Sequence, residues 1–286
     1  MKYFDQNWCG LDWTAWVTFD LKKSDWLVLP NGEGVYRIRG VGSDFLMYVG
    51  QTGRSLRGRL RYLRRNVLAD LMPFNDPHTA APNLWVWKKE KNWHYECSAA
   101  STDFTKRERL AFEHFLLWQY RLERGESTLC NFGRFHPNYL KSTNRKKGFR
   151  GKRLSNDEER NPAGEKSHPP LHLSGKPLEE NWMGLGWSRL ESLNNKNVKE
   201  IPNEAGLYKI ANLAHNDLMY IGQTKYLANR LTSHFRRFRK KEELNFSYSI
   251  MPRFTKDHEL KEIENDLIAS YYAQAKKPPA YQFSGS

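Results

Sequence analysis

Residues 34–52 read GVYRIRGVGSDFLMYVGQT, and residues 206–224 read GLYKIANLAHNDLMYIGQT. This duplication restricts the fold more than any other feature of the chain. The pair G-x-Y and the pair Y-x-G recur at one spacing: Tyr36 precedes Tyr48 by twelve positions, and Tyr208 precedes Tyr220 by twelve. The repeat extends on both sides. NWCGLDW (7–13) is echoed by NWMGLGW (181–187), GRSLRGRLRYL (53–63) by KYLANRLTSH (225–234), and EHFLLWQY (113–120) by ENDLIASY (264–271). Four landmarks in one order imply a duplicated unit, and 286 residues suffice for two small domains.

Between the copies runs KSTNRKKGFRGKRLSNDEERNPAGEKSHPPLHLSGKPLEE, poor in apolar residues and rich in Lys, Arg, Gly and Pro. Such a composition predicts a mobile linker. The expected organisation is a first domain over 1–140, a basic flexible linker over 141–178 and a second domain over 179–286.

Periodicity gives the elements. VYRIR and LMYVG, and likewise LYKIA and LMYIG, are short β-prone runs around a turn, which predicts a hairpin in each copy. Leu56, Leu60, Leu63 and Val67 then recur at four, three and four, the stripe of an amphipathic helix whose other faces carry Arg57, Arg59, Arg61, Arg64 and Arg65. The second copy places Leu227, Leu231 and Phe235 on one side, with Arg230, Arg236 and Arg237 among the rest. A third strand is predicted near 93–99 and 246–250, and closing helices near 106–122 and 257–274. The fold class is α/β in the α+β sense, with hairpin, basic helix, third strand and helices in each half.

The chain carries a formal net charge of +14. It divides as +5 over residues 1–140, +6 over 141–178 and +3 over 179–286, from 20, 10 and 16 Lys/Arg against 15, 4 and 13 Asp/Glu. A polyanionic partner is implied, nucleic acid ahead of membrane, because no apolar span of about 18 residues or amphipathic anchor accompanies the charge. Cys9, Cys97 and Cys130 are odd in number and widely spaced, which fits reduced thiols and a cytoplasmic location, with no secretory leader at the N-terminus.

No P-loop, H-E-x-x-H, G-x-S-x-G or dinucleotide fingerprint is present. The remaining chemistry lies in Tyr, Arg, His and Glu residues repeated in order. Tyr36 and Tyr208 read either as half-buried strand tyrosines or as site residues; a phenol titrates near 10 and needs neighbouring cations to act as a base. Arg59 and Arg230 follow the second strand closely, with Arg57 competing for the role in the first copy. Glu113 and Glu264 stand beside the buried stripe of the closing helices, where one carboxylate could hold a hard divalent cation. His234 lies one turn after Arg230; Leu63 takes its place in the first copy. Asn131 follows Glu113 by 18 positions, and Gln282 follows Glu264 by 18.

Taken together these residues resemble the GIY-YIG nuclease superfamily as two tandem modules, over roughly 32–132 and 204–283. The resemblance implies a small three-stranded sheet flanked by helices in each module, and metal-dependent hydrolysis of a DNA phosphodiester. Position by position it implies Tyr36, Tyr48, Arg59, Glu113 and Asn131 in one site. In the other it implies Tyr208, Tyr220, Arg230, His234 and Glu264, with Gln282 where the family usually has Asn. Glu113 and Glu264 would each hold one Mg²⁺ or Mn²⁺, the first tyrosine would help deprotonate water, and the arginine would steady the transition state. Both copies would act on double-stranded DNA as a covalent pseudo-dimer in a restriction- or defence-like role. Alternatives are one active module beside a DNA-holding one, and a non-catalytic nucleic-acid-binding protein. The first copy also has a longer insertion before its glutamate, containing Trp85, Trp87 and Trp93, which read as core or as base-stacking surface.

Overall fold

The computed structural model describes residues 2–20, 23–76, 78–238 and 243–284. The chain divides into two compact units, Met1–Ser167 and His168–Ser286.

In the first unit the predicted hairpin is β2 (Gly34–Gly40) and β3 (Leu46–Thr52), following a short strand β1 (Val17–Thr18). Helix α1 (Leu56–Val67) comes next, then α2 (Ala81–Lys91), strand β4 (Tyr95–Ser101) and helix α3 (Lys106–Arg124). The strands form one antiparallel sheet in the order β1-β4-β2-β3. The second unit repeats this, with no counterpart of α2 among the described residues: β5 (Glu191–Ser192), β6 (Gly206–Asn212), β7 (Asp217–Thr224), α4 (Leu227–Phe238), β8 (Asn245–Ile250) and α5 (Asp257–Ala275). Its sheet order is β5-β8-β6-β7.

Each sheet thus has four strands where three were expected. The added edge strands are two residues long, pairing Val17 with Cys97 and Glu191 with Phe246. Two residues are too few for the alternation by which a strand is read from sequence.

The apolar stripe behaves as its spacing requires. Leu56, Leu60, Leu63 and Val67 are all buried, packing with Ile38, Met47 and Tyr95. At about 1.5–3 kcal/mol per fully buried aliphatic side chain, this contact is a principal stabiliser of the unit. Ser55 caps α1, its hydroxyl accepting from Gly58 N at 2.9 Å. Helix α3 starts at a reciprocal capping box between Thr105 and Glu108 and ends at Gly125, whose φ of 83° suits glycine.

The opposite face of the central strand explains the lead-in motif. Alternation turns Arg37 and Lys209 away from the α1 and α4 sides, where both are fully buried. Arg37 donates to the carbonyls of Tyr3 (2.6 Å) and Asp5 (2.9 Å), and its guanidinium lies 4.3 Å from the Trp13 ring. Lys209 Nζ donates to the carbonyls of Pro177 (2.9 Å) and Glu179 (2.8 Å) and lies 4.5 Å from the Trp187 ring. In both lead-ins the second tryptophan's indole N–H bonds the carbonyl of the first, Trp13 to Trp8 and Trp187 to Trp182. The motif is a cage for a buried basic side chain, and burial lowers the Lys209 pKa to about 7 against the pull of Glu179 and Glu180.

The segment expected as a linker makes internal bonds. Leu140 N donates to Lys152 O, Leu154 N to Asn138 O and Asn75 N to Thr143 O, while Phe135 and Tyr139 are buried with Met72 and Val86. Further on, His168 N donates to Glu262 Oε2 at 2.8 Å and Leu171 N to Asp266 Oδ2 at 3.0 Å, so two buried carboxylates of α5 bind the start of the second unit. The division between the units falls inside the 141–178 segment. Among the described residues no helix is long and apolar enough to cross a membrane.

Candidate active site

The register of the hairpin builds the site. Tyr36 stands opposite Gly50 and Tyr208 opposite Gly222. Each tyrosine ring lies across the bare backbone of its glycine partner: a Cβ on Gly50 would meet the Tyr36 hydroxyl at 2.7 Å, and one on Gly222 would come within 3 Å of Tyr208. The first glycine of each motif is equally constrained. A Cβ on Gly34 would strike the Ala100 carbonyl and the Leu56 side chain; one on Gly206 would strike the Ser249 carbonyl and Leu227. The glycines therefore let the tyrosine, the third strand and the basic helix close onto one another.

Helix α1 then delivers Arg59, whose Nε donates to the Tyr36 hydroxyl at 3.4 Å. Arg57, the competing residue, turns elsewhere, bonding the carbonyls of Leu29 and Leu27. In the second unit Arg230 Nε donates to the Tyr208 hydroxyl at 3.0 Å. Tyr48 and Tyr220 sit beside the first tyrosines, each at a ring separation of 6.0 Å. Burial raises the Tyr36 and Tyr208 hydroxyls above the ordinary phenol range, and the arginines offset this only in part. Both phenols are therefore protonated at neutral pH.

His234 completes the second unit. Its Nε2 lies 2.9 Å from the Tyr208 hydroxyl, and its ring lies 4.8 Å from that of Tyr220. Burial, then Arg230 and Arg237, lower its pKa to about 4, so the imidazole is neutral at pH 7. Arg230 and His234 Nε2 thus meet on the same Tyr208 oxygen.

Glu113 and Glu264 lie half-buried on α3 and α5, next to buried Phe112 and Ile263. Burial raises both carboxyls to about 7; Arg59 opposes this in the first unit, and in the second the Gln223 N–H at 3.2 Å and then Arg230 do so. The arginine acts on both the tyrosine and the glutamate of its own unit, which draws the three groups into one electrostatic neighbourhood.

Asn131 and Gln282 stand apart from these groups. The Asn131 amide accepts from Val49 N at 3.0 Å and donates to Val49 O at 2.9 Å. Gln282 Oε1 accepts from Ile221 N at 3.1 Å. Each amide pairs the edge-strand residue between the tyrosine and glycine of Y-x-G, and so holds that tyrosine in place. They are positioning residues by geometry.

One cleft residue escaped the sequence reading. His78 lines the first unit's cleft, of about 830 Å³, together with Arg59, Tyr62, Thr52 and Ser55. It is buried, its Nδ1 has no hydrogen-bond partner, and burial followed by Arg59 lowers its pKa to about 3. The insertion thus brings an imidazole to the arginine of the unit whose helix has Leu63 in place of His234. No spacing rule could have found it, since the connecting loop has no periodicity. The insertion's tryptophans are packed instead: Trp87 stacks on Trp93 at 5.5 Å, and Trp85 Nε1 bonds Ala69 O at 2.7 Å.

Residues 204–277 match the family model of the GIY-YIG catalytic domain. That span contains Tyr208, Tyr220, Arg230, His234 and Glu264, so the second unit carries a nuclease-type domain, which implies a nucleic-acid substrate. No curated protein and no solved structure matches the chain. The first unit repeats the hairpin register and the sheet order of the second, although the match covers the second unit alone.

The donor set bears on the metal that such a domain implies. Among the described residues no group of three His, Cys, Asp or Glu side chains could hold an ion. A closed zinc-type site does not fit. A single half-buried carboxylate does fit a hard cation that keeps most of its waters and binds substrate phosphate.

Proposed function

We propose that the chain is a metal-dependent DNA endonuclease with a GIY-YIG active site in each unit, cutting the two strands of a duplex as a covalent pseudo-dimer. The observation that carries this reading is the repeated triad of tyrosine, arginine and glutamate. Arg59 and Arg230 contact Tyr36 and Tyr208 at 3.4 and 3.0 Å, and each also acts on the carboxylate of its own unit.

Glu113 and Glu264 would hold one Mg²⁺ or Mn²⁺ each, which when bound polarises the scissile phosphate and neutralises charge on the leaving oxygen. The chain's own residues do the rest. In the second unit water attacks phosphorus and the P–O bond to the leaving strand breaks. The water's proton passes to the Tyr208 oxygen while the phenol proton passes to His234 Nε2, and the departing oxygen takes a proton from solvent. Arg230 keeps that oxygen oriented and its guanidinium stabilises the developing phosphorane charge. In the first unit Tyr36 and Arg59 take the same parts, and His78, which lines the cleft with Arg59, is the candidate imidazole.

The test is a supercoiled plasmid incubated with Mg²⁺. Wild type is expected to give linear product, and Glu113→Ala or Glu264→Ala nicked circles. Unchanged linearisation by both single variants would refute the two-site reading. The confinement of the family match to 204–277, with Leu63 at the helix-histidine position, favours a second reading in which only the second unit cuts. Glu264→Ala would then abolish all cleavage, and Glu113→Ala would weaken binding only.

A further inference from the structure

Residues 139–153 hold seven Lys/Arg and no Asp/Glu. They belong to the first unit and lie outside the span that matches the nuclease-type domain. At their centre is a tight turn. Thr143 N donates to Phe149 O at 3.1 Å, the Asn144 side chain accepts from Lys147 N at 2.9 Å, and Gly148 closes the turn at a φ of 72°. Arg145, Lys146 and Lys147 stand on it in succession, all exposed. Lys152 and Arg153 are neutralised by Glu158 (2.8 Å) and Glu90 (3.3 Å), whereas among the described residues no carboxylate forms a salt bridge with Arg145, Lys146 or Lys147. Like charges fixed side by side repel one another, and an anionic partner relieves that repulsion.

The turn is clamped to the loop that delivers His78. Arg145 N donates to Asp76 Oδ1 at 2.6 Å, and Asn75 N donates to Thr143 O at 3.1 Å. Arg150 donates to Met72 O at 2.6 Å, with its guanidinium 4.4 Å from the Phe74 ring, so its charge serves the clamp. Gly151 sits so close to Met72 and the Leu140 carbonyl that a Cβ would not fit. Asp76 is two positions from His78, which lines the cleft with Arg59. Two residues span at most about 7 Å, so the turn stands within a few base pairs of the cleft at a rise of about 3.4 Å each.

We propose that this turn grips the phosphate backbone of duplex DNA a few base pairs from the first unit's cut, through Arg145, Lys146 and Lys147. The inference rests on the nuclease reading and adds where the substrate is held. Contacts of this kind set affinity and position and carry no sequence preference of their own. Backbone bonds fix the turn before DNA arrives, so little ordering is left to be done on binding.

The experiment follows the fluorescence anisotropy of a labelled duplex of about 20 base pairs with the full chain in EDTA, between about 50 and 200 mM KCl. Each phosphate contact contributes about 0.9 to the slope of log affinity against log salt. The triple variant Arg145→Gln, Lys146→Gln, Lys147→Gln is expected to flatten that slope by about 2–3 and to weaken binding at least about tenfold near 100 mM. The double variant Lys146→Gln, Lys147→Gln leaves the contacts of Arg145 intact and should flatten the slope by about 2. Both should keep the wild-type melting temperature. Removing equal charge from exposed positions of the second unit, with Arg189→Gln, Lys196→Gln and Lys199→Gln, should change the slope by less than about 1. A wild-type slope in the triple and double variants, or equal flattening by the second-unit set, would overturn the proposal. Should wild type still cut plasmid, that result would sink the turn alone; wild type that neither binds the duplex nor cuts plasmid would sink the nuclease reading with it.

Discussion

The hydroxyl of Tyr208 rests directly over the Cα of Gly222, its partner across the hairpin, leaving no space for even one methyl group. The same relation joins Tyr36 to Gly50. It makes the two halves of the motif a single unit, because the glycine exists to seat the tyrosine. Gly222→Ala should therefore displace Tyr208 from Arg230 and His234. Overpacking of this kind costs about 1–3 kcal/mol, and a displacement near 1 Å at reacting groups lowers rates about a hundredfold. Thermal melting and cleavage rates for Gly50→Ala and Gly222→Ala would measure both effects, and a variant with wild-type cleavage would contradict the packing argument.

The two histidines yield a prediction with a definite sign. His234 titrates near 4 in the folded protein and about 6.5 unfolded, so the unfolded chain binds more protons between those values. Its contribution to stability is complete above about 6.5 and is lost as pH falls through about 4. His234→Leu, which copies Leu63 of the other unit, should flatten the fall in urea midpoint over that window. The same variant should slow cleavage by its site about a hundredfold or more, the usual scale of general acid–base catalysis. For the first unit, His78→Ala should turn linear plasmid product into nicked circles.

Much of this architecture was legible in the sequence, for reasons visible at particular residues. Leu56, Leu60, Leu63 and Val67 announced α1 because an amphipathic helix must repeat its buried face, and the same register put Arg59 and Arg230 toward the tyrosines. Glu113 and Glu264 were singled out by their place beside a buried stripe. Contacts with no period stayed hidden. His78 reaches Arg59 from an irregular loop, β1 and β5 are too short to alternate, and the role of Asn131 became clear only from its bonds to Val49. The basic stretch over 141–178 was read as linker because it lacks apolar residues. Its order comes instead from backbone pairing, such as Leu140 with Lys152, which composition does not record.

The caged cations were also invisible, since a lysine or arginine in a strand ordinarily faces water. Removing the charge should expose their worth. Lys209→Met leaves the carbonyls of Pro177 and Glu179 without their donor and discards the contact with Trp187. Hydrogen bonds to charged groups contribute about 1.5–3 kcal/mol and cation–π contacts about 0.5–2 kcal/mol. A loss of several kcal/mol confined to the second unit is expected, with a matching loss in the first for Arg37→Met. Calorimetry of the two variants would test this: each should lower a different transition, and a methionine variant as stable as wild type would show the cages to be dispensable.

The glutamates should reveal the conflict between folding and catalysis. Burial raises Glu113 and Glu264 to about 7, against about 4.3 in an unfolded chain. A raised carboxyl stabilises the fold fully below the unfolded value and loses that contribution as pH rises through the folded one. At pH 8 without metal, each ionised carboxylate therefore burdens its unit. Glu264→Gln should raise the melting temperature there, by about 2–8 °C for each kcal/mol relieved, and make no difference at pH 4. Mg²⁺ should reverse the order at pH 8, stabilising wild type by mass action and leaving the glutamine variant unmoved. Melting curves at the two pH values, with and without Mg²⁺, supply all four comparisons. A glutamine variant that gained as much from Mg²⁺ as wild type would remove Glu264 from any part in holding a cation.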